Sequence, residues 1–145
     1  MEIVGTETFP YAREHVWAKL MDFDVLGKTL PGIRSLEPID EDSCTIDVKV
    51  LVPAITGSYK GTVRIVDKSP VDSYRLRGEA KGRLGWVKGD AFFELSGDGD
   101  ETQVTSTMTI QTGGALSGVG QRFMQAVGNS MVKQFFAAFG EQLAV

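Results

Sequence analysis

The side chains that could do covalent chemistry are few in this sequence. It contains one histidine, His15, and one cysteine, Cys44. No serine or cysteine can be paired with His15 as a nucleophile by spacing, and Cys44 alternates with apolar residues, as a buried strand residue does. A metal site would need further ligands, and no carboxylates cluster with these two residues. The sequence therefore predicts no catalytic site and no metal site, and we expect no cofactor.

The glycine-rich stretch 78–85 invites comparison with a phosphate-binding loop. Such a loop joins a strand to a helix N-terminus, whereas both flanks of this stretch alternate as strands. Small residues on the inner face of a strand leave room for a neighbouring group instead. We therefore expect Gly78, Ala80 and Gly82 to leave volume beside whatever covers the sheet, with Gly61 and Ala91 adding to it.

The strongest charge pattern is a basic row in the middle of the chain. Residues 60–88 carry eight Lys/Arg against three Asp/Glu, although the net charge of the whole chain is −4. Strand parity places one set of basic side chains on one face of a predicted hairpin: Lys60, Arg64, Arg75, Arg77, Lys81 and Arg83. This face is either an ordinary solvated surface or a docking site for an acidic protein or an anionic membrane. A globally acidic chain is a poor nucleic-acid binder, so no nucleic-acid partner is expected.

The elements that must position these residues are strands and three helices. At 145 residues the chain predicts a single domain, 1–145. Alternation with a period of two predicts about seven strands, at residues 2–9, 33–39, 44–52, 59–66, 74–84, 86–95 and 102–110. Helical spacing predicts two short helices after the first strand, at 12–21 and 24–30. Because most connections are short, we expect an α+β fold with an antiparallel sheet.

A long C-terminal helix is predicted within residues 114–145. Its apolar residues recur every four positions: Val119, Phe123, Val127, Met131, Phe135 and Phe139. A four-residue repeat winds around a helix, so this stripe needs a curved partner. The glycines at the start of the segment indicate either close backbone packing or a movable lip, and we favour the lip. Residues 114–124 would then form the wall and lip of a pocket, and residues 127–143 would anchor the sheet.

An apolar pocket is expected between the inner face of the sheet and this helix. Small residues on the sheet and large apolar residues around it are typical of such a pocket. The predicted ligand-binding residues are Tyr59, Gly78, Ala80, Gly82, Phe93, Leu95, Met108, Ile110, Leu116, Phe123, Met124 and Val127. The alternative is that these side chains fill one another's space as a solid core.

Several short motifs, taken together, resemble one family. They are Leu30-Pro31-Gly32-Ile33, Tyr59-Lys60-Gly61, Gly78–Gly82 with Lys88-Gly89, Gly113-Gly114 and Gln134-Phe135-Phe136. Their joint spacing is similar to that of the carbon monoxide dehydrogenase CoxG family, within the START-like (SRPBCC, polyketide cyclase, Bet v 1-like) superfamily. The resemblance covers essentially the whole chain. It implies a helix-grip fold, in which a curved antiparallel sheet surrounds a long C-terminal helix.

The resemblance also implies a function. It indicates a non-catalytic accessory protein that binds a quinone or lipid and docks on a molybdenum hydroxylase of the CO dehydrogenase type or on the membrane surface. The alternatives are a cyclase or dehydratase on the same fold, for which Glu7 is the one inward acid assigned, and a pure protein-interaction module.

The expected location is cytoplasmic. The sequence contains neither a signal-peptide pattern nor eighteen consecutive apolar residues. Some CoxG-like proteins continue into an apolar membrane tail, whereas this chain ends at Val145. We therefore expect any contact with the inner face of the membrane to be peripheral.

Overall fold

A computed structural model describes all residues from Met1 to Val145 and confirms the predicted order of elements. That order is β1 (Glu2–Phe9), α1 (Arg13–Leu20), α2 (Phe23–Thr29), β2 (Ile33–Pro38), β3 (Ser43–Val50), β4 (Gly57–Ser69), β5 (Ser73–Gly82), β6 (Gly85–Ser96), β7 (Thr102–Gly114), a 3-10 helix (Ala115–Gly118) and α3 (Gln121–Leu143). The α+β class, with two short helices after the first strand, is therefore correct.

All seven strands form one antiparallel sheet with the order β1-β7-β6-β5-β4-β3-β2. Strands that follow one another in the chain are neighbours from β2 to β7, while β1 pairs with β7 in register from Glu2↔Thr109 to Phe9↔Thr102. The first and last strands are therefore adjacent, and β1 and β2 are the two edges. α3 packs against β1 and α2, so the sheet surrounds the helix in the helix-grip arrangement.

The predicted strand parity is confirmed. In β5, Tyr74 and Leu76 face inward, opposite Phe93 and Ala91 of β6. The outward side chains of β5 include Arg77, which lies opposite Asp90 of β6. The alternation thus separates an apolar inner face from a charged outer face.

The interior contains two apolar clusters, one toward each end of α3. The larger cluster packs α1 and α2 on the second half of α3, where Phe135, Phe136, Phe139 and Leu143 are buried. The smaller cluster consists of Ile55, Tyr59 and Leu116, with side chains from the first turns of α3 packed against it. Residues 128–131 of α3 lie between Val127, which packs against the smaller cluster, and Val132, which packs against the larger one.

The predicted start of the C-terminal helix is wrong. Gly113 and Gly114 continue β7, because they pair with Trp86 and Gly85 of β6. Gly114 then adopts φ 68°, a left-handed conformation suited to glycine, where the strand turns into the 3-10 helix. The α-helix begins only at Gln121, so Val119 precedes it although it was predicted to lie on the helical stripe.

Candidate ligand-binding cavity

A cavity of about 250 Å³ lies between the inner face of the sheet and the middle of α3. Eleven of its thirteen lining residues are hydrophobic, and the only polar side chain among them is that of Ser106. The lining residues are Leu30, Pro31, Ile33, Ile46, Val48, Leu76, Ala91, Phe93, Ser106, Met108, Met131, Val132 and Phe135. This composition suits an apolar molecule with few polar atoms.

The floor of the cavity is a set of neighbouring side chains on β5, β6 and β7. Leu76 lies opposite Ala91, and Ala91 lies opposite Met108. Phe93 and Ser106 face each other two positions further along these strands. Because Ala91 and Ser106 are smaller than their neighbours, the floor is recessed there, as the sequence predicted for Ala91.

The opposite wall comes from one turn of α3 and from the segment after α2. Met131, Val132 and Phe135 project from α3 into the lining. α2 ends at Thr29 because Leu30 is extended (φ −71°, ψ 127°), the conformation favoured before Pro31. This early stop brings Leu30 and Pro31 to the cavity wall.

An apolar groove adjoins the cavity. Its volume is about 410 Å³, and it shares Pro31 and Met131 with the cavity. Its lining residues are Pro31, Gly32, Lys49, Val50, Leu51, Val52, Phe123, Ala126, Val127, Ser130, Met131 and Gln134. Two large apolar residues there are exposed, Leu51 at 73% and Phe123 at 38%. The groove therefore connects solvent to the wall of the cavity along an apolar surface.

No ionisable side chain lines the cavity, and Lys49 is the only one in the groove. Glu7, the acid that an enzyme on this fold would have used, is exposed and lines a separate groove between β1 and α3. Cys44 is fully buried in the larger cluster, and burial raises the pKa of its thiol, so it stays protonated and unreactive. The cavity is suited to holding a neutral molecule.

The structure distributes the twelve predicted ligand-binding residues over several places. Phe93 and Met108 line the cavity, and Phe123 and Val127 line the groove. Four more belong to the smaller cluster or pack against it, as Val127 also does: Tyr59, Ala80, Leu116 and Met124. Leu95 belongs to the larger cluster, and Gly78, Gly82 and Ile110 line neither the cavity nor the groove. Their roles in binding remain predictions.

The expected open volume beside Gly78 and Gly82 is absent. A Cβ atom on Gly82 would lie 2.9 Å from the Tyr59 ring, and one on Gly78 would lie 3.6 Å from Val63. Tyr59 is buried, and its hydroxyl donates to the Ile55 carbonyl oxygen at 2.7 Å. Gly82 therefore makes room for a side chain of β4, whereas a Cβ on Gly78 would make only an ordinary contact with Val63. The free volume lies elsewhere, against inward residues of β2, β3, β5, β6 and β7.

Sequence reasoning missed most of the cavity lining. Leu30, Pro31 and Ile33 were part of a motif used for the family resemblance, but nothing in that motif indicates an inward position. Ile46 and Val48 alternate as expected, yet the pattern does not tell which inward residues meet a void. Ser106 could have been found, because it is a polar residue at an inward position between Val104 and Met108.

The basic row occupies adjacent strands, as predicted. Lys60 lies opposite Lys81, and Arg64 lies opposite Arg77. Part of this charge is neutralised, because neighbouring strands supply carboxylates. Asp90 of β6 accepts hydrogen bonds from Arg75 at 3.1 Å and Arg77 at 2.9 Å.

Four members of the basic row form no salt bridge: Lys60, Arg64, Lys81 and Arg83. All four are exposed, and they carry the free positive charge of this face together with Lys88 of β6, which is also exposed and forms no salt bridge. A docking role for the row thus depends on these four residues more than on Arg75 and Arg77.

The segment predicted to form a lip, residues 114–124, is attached to the rest of the protein at Leu116. Leu116 is only 2% exposed, and its N–H donates to the Leu84 carbonyl oxygen at 3.0 Å. The Ser117 hydroxyl donates to the Gly114 carbonyl oxygen at 2.7 Å. Among the glycines of this segment, only Gly118 and Gly120 have no atom within 4 Å of their Cβ positions. The description of the whole segment as loosely held is therefore wrong.

None of the helices combines the length and the apolar character that crossing a membrane requires.

Solved structures share this architecture. A conserved protein from Geobacillus kaustophilus superposes with a TM-score of 0.93 at 29% identity, covering 99% of this chain and 95% of that chain. A START superfamily protein from Mycobacterium smegmatis superposes with a TM-score of 0.77 at 12% identity, covering 99% and 97%. The Zhui aromatase/cyclase from Streptomyces sp. R1128 has a TM-score of 0.64 at 14% identity, covering 99% and 90%. The last two similarities concern the fold alone.

Among curated proteins, none matches this sequence. The family model for CoxG, a subunit of carbon monoxide dehydrogenase, by contrast matches residues 5–144. That match extends over the whole sheet, the cavity and α3, and it agrees with the resemblance found in the short motifs. The chain therefore belongs to the CoxG family.

Proposed function

We propose that this protein is a non-catalytic accessory protein that binds a quinone or a lipid in the cavity and the adjoining groove. One observation carries the proposal: an almost wholly apolar cavity lies beneath α3, and an apolar groove with exposed residues shares Pro31 and Met131 with its wall. Burying apolar surface in such a space contributes about 25 cal/mol per Å². A ligand of this kind therefore gains affinity without any charged contact.

The size of the cavity limits which part of the ligand it holds. Ligand pockets usually measure roughly 300–1,000 Å³, and a cavity of about 150 Å³ can hold benzene. A cavity of about 250 Å³ therefore suits one or two fused rings or a short stretch of chain. The rest of a quinone tail or acyl chain would lie in the groove, against Val50, Phe123 and Val127.

The proposed partners are a molybdenum hydroxylase of the CO dehydrogenase type and the inner face of the membrane. The family description supports the first, because it names a subunit of carbon monoxide dehydrogenase. The exposed Leu51 and Phe123, with Lys49 beside them, support contact of the groove with a membrane surface. The free charges of Lys60, Arg64, Lys81 and Arg83 support docking on an acidic surface.

The non-catalytic character rests on the lining itself. A cyclase or dehydratase needs an acid or base within reach of its substrate. In this chain the cavity offers only the Ser106 hydroxyl, and Glu7 lies elsewhere. We therefore favour a carrier over an enzyme, and a carrier over an interaction module with a solid core.

Filling the cavity tests the proposal. Ala91→Phe adds a ring to the recessed floor and should abolish binding of a short-chain ubiquinone analogue or weaken it by at least about tenfold, measured by isothermal titration. Ala18→Phe, on the exposed face of α1, is the matched control and should bind like the unmodified protein. Binding that is absent in the unmodified protein, or unchanged in Ala91→Phe, would contradict the proposal.

A further inference from the structure

Ser106 is the one polar side chain inside an otherwise apolar cavity. It lies on the inner face of β7, opposite Phe93 of β6 and Gly5 of β1. The residue is only 4% exposed, and it belongs to the cavity lining. A serine at such a position costs stability relative to alanine unless its hydroxyl has a partner.

The other buried hydroxyl groups have partners within the protein. Thr102 donates to the Tyr11 carbonyl oxygen at 2.7 Å, and Thr29 donates to the Leu26 carbonyl oxygen at 3.2 Å. Ser43 donates to the Asp40 carboxylate at 2.8 Å. The Ser106 hydroxyl has no such partner, and because Asp47 Oδ1 is the only fully buried side-chain polar atom left without one, the Ser106 oxygen is open to the cavity. Among the four buried polar residues of the chain, Ser106 is thus the exception.

We infer that Ser106 is the residue that determines which apolar molecules the cavity accepts, by hydrogen bonding to one neutral oxygen atom of the ligand. The inference rests on the proposed function and specifies its ligand. A hydroxyl group can donate to a carbonyl oxygen or accept from a hydroxyl group. It therefore selects molecules that carry such an oxygen on an apolar ring or chain.

The lining also excludes a charged head group. No lysine, arginine or histidine lines the cavity, so a carboxylate or phosphate there would lose its hydration without gaining a counter-charge. One hydroxyl does not offset that loss. The ligand class is consequently neutral, with a single oxygen-bearing end, and not a fatty acid or a phospholipid head group.

The position of Ser106 fixes the orientation of the ligand. The groove lies beside β3 and α3, whereas Ser106 is on β7, four strands away from β3 in the sheet. A molecule that enters from the groove passes Pro31 and Met131 before it reaches Ser106. The oxygen-bearing end therefore enters first, and the apolar tail remains in the groove.

Three probes with the same ring system test the inference: 2-naphthol with one neutral oxygen, naphthalene with none, and 2-naphthoate with a charge. Binding is measured from backbone amide chemical shifts of the isotope-labelled protein, which give an affinity and show where the probe binds. The variants are Ser106→Ala and Ser106→Cys, and the control is Ser96→Ala, which removes an exposed hydroxyl at the end of β6, outside both the cavity and the groove.

We expect 2-naphthol to shift the amides of Ala91, Ser106 and Met108, and to bind the two Ser106 variants about 3- to 10-fold more weakly, the usual effect of one hydrogen bond. Naphthalene should bind all variants alike, and 2-naphthoate should bind at least about tenfold more weakly than 2-naphthol.

The role of Ser106 would be overturned if both Ser106 variants lost equal affinity for naphthalene and for 2-naphthol. It would also be overturned if neither probe lost affinity. Equal affinity for 2-naphthoate and 2-naphthol would overturn the preference for neutral ligands. These outcomes leave the proposed function standing. If none of the probes shifts the cavity amides of the unmodified protein, the proposed function fails as well.

Discussion

At the scale of single residues, the chain shows how a sequence position acquires its role from a neighbour on another strand. Gly82 of β5 and Gly113 of β7 are required because aromatic side chains of the adjacent strands, Tyr59 and Trp86, occupy the space next to them. Ser106 is similar, since its neighbours create the cavity that it faces. These environments could not be predicted from the residue types alone, because they depend on register across the sheet.

Gly113 provides a test of this close packing. A Cβ atom there would overlap the Trp86 ring, so Gly113→Ala must displace the indole. We expect the unfolding free energy to fall by about 1–3 kcal/mol, the usual cost of overpacking. The measurement is chemical denaturation followed by tryptophan fluorescence.

Gly118→Ala is the matched control for Gly113→Ala. Gly118 has no atom within 4 Å of its Cβ position, so this substitution should be neutral or slightly stabilising. Equal stability of the two variants would contradict the close contact between Gly113 and Trp86.

At the scale of elements, alternation and helical spacing predicted all seven strands and all three α-helices. These patterns missed the ends of elements that depend on pairing between strands. β7 extends to Gly114 because β6 continues beside it, and α3 starts later in consequence. The lining of the cavity was missed because it also depends on how the strands pair. Nothing in the sequence around Ile46 and Val48 of β3 distinguishes these lining residues from ordinary core residues.

The outer face of β5 and β6 has a testable dependence on pH. Burial acts to raise the pKa of Asp90, but hydrogen bonds from Arg77 and Arg75 and their charges outweigh it and hold the pKa below its usual range. A depressed pKa means that the ionised carboxylate stabilises the folded state at neutral pH. This contribution is fully present above the unfolded pKa of about 3.9 and is lost as the pH falls through the folded value.

Asp90→Asn removes this titration. The unfolding free energy of the variant should be lower than that of the unmodified protein at pH 7, and the difference should shrink as the pH falls from about 5 to 2. Denaturation curves at a series of pH values measure it. A difference that stays constant with pH would show that the ion pairs do not contribute to stability.

At the scale of the whole molecule, two apolar clusters hold the two ends of α3, and the larger one supplies most of the cavity wall, including Ala91, Phe93 and Phe135. The fold class, the inward faces and the presence of a pocket beneath α3 could be predicted from the sequence. The volume of the pocket and its position beside the middle of α3 could not, because they depend on which inward side chains of β2, β3, β5, β6 and β7 meet there.

The basic row is the second feature of the whole molecule. If it docks on an acidic surface, reversing the charge of Lys60 and Lys81 together should weaken binding to vesicles that contain anionic phosphatidylglycerol by at least about fivefold at low salt, measured by co-sedimentation. The control is Lys28→Glu with Lys133→Glu, two exposed lysines outside this face, which changes the net charge equally. Equal effects of the two pairs would contradict a specific docking face.

The central claim is that the cavity holds an apolar ligand in the cell. Native mass spectrometry of protein purified from its own host, followed by solvent extraction of the same sample, tests it most directly. We predict a bound neutral molecule in the unmodified protein and its loss in Ala91→Phe. A sample that contains only the mass of the polypeptide, and an extract without any quinone or neutral lipid above the level found with Ala91→Phe, would contradict the claim.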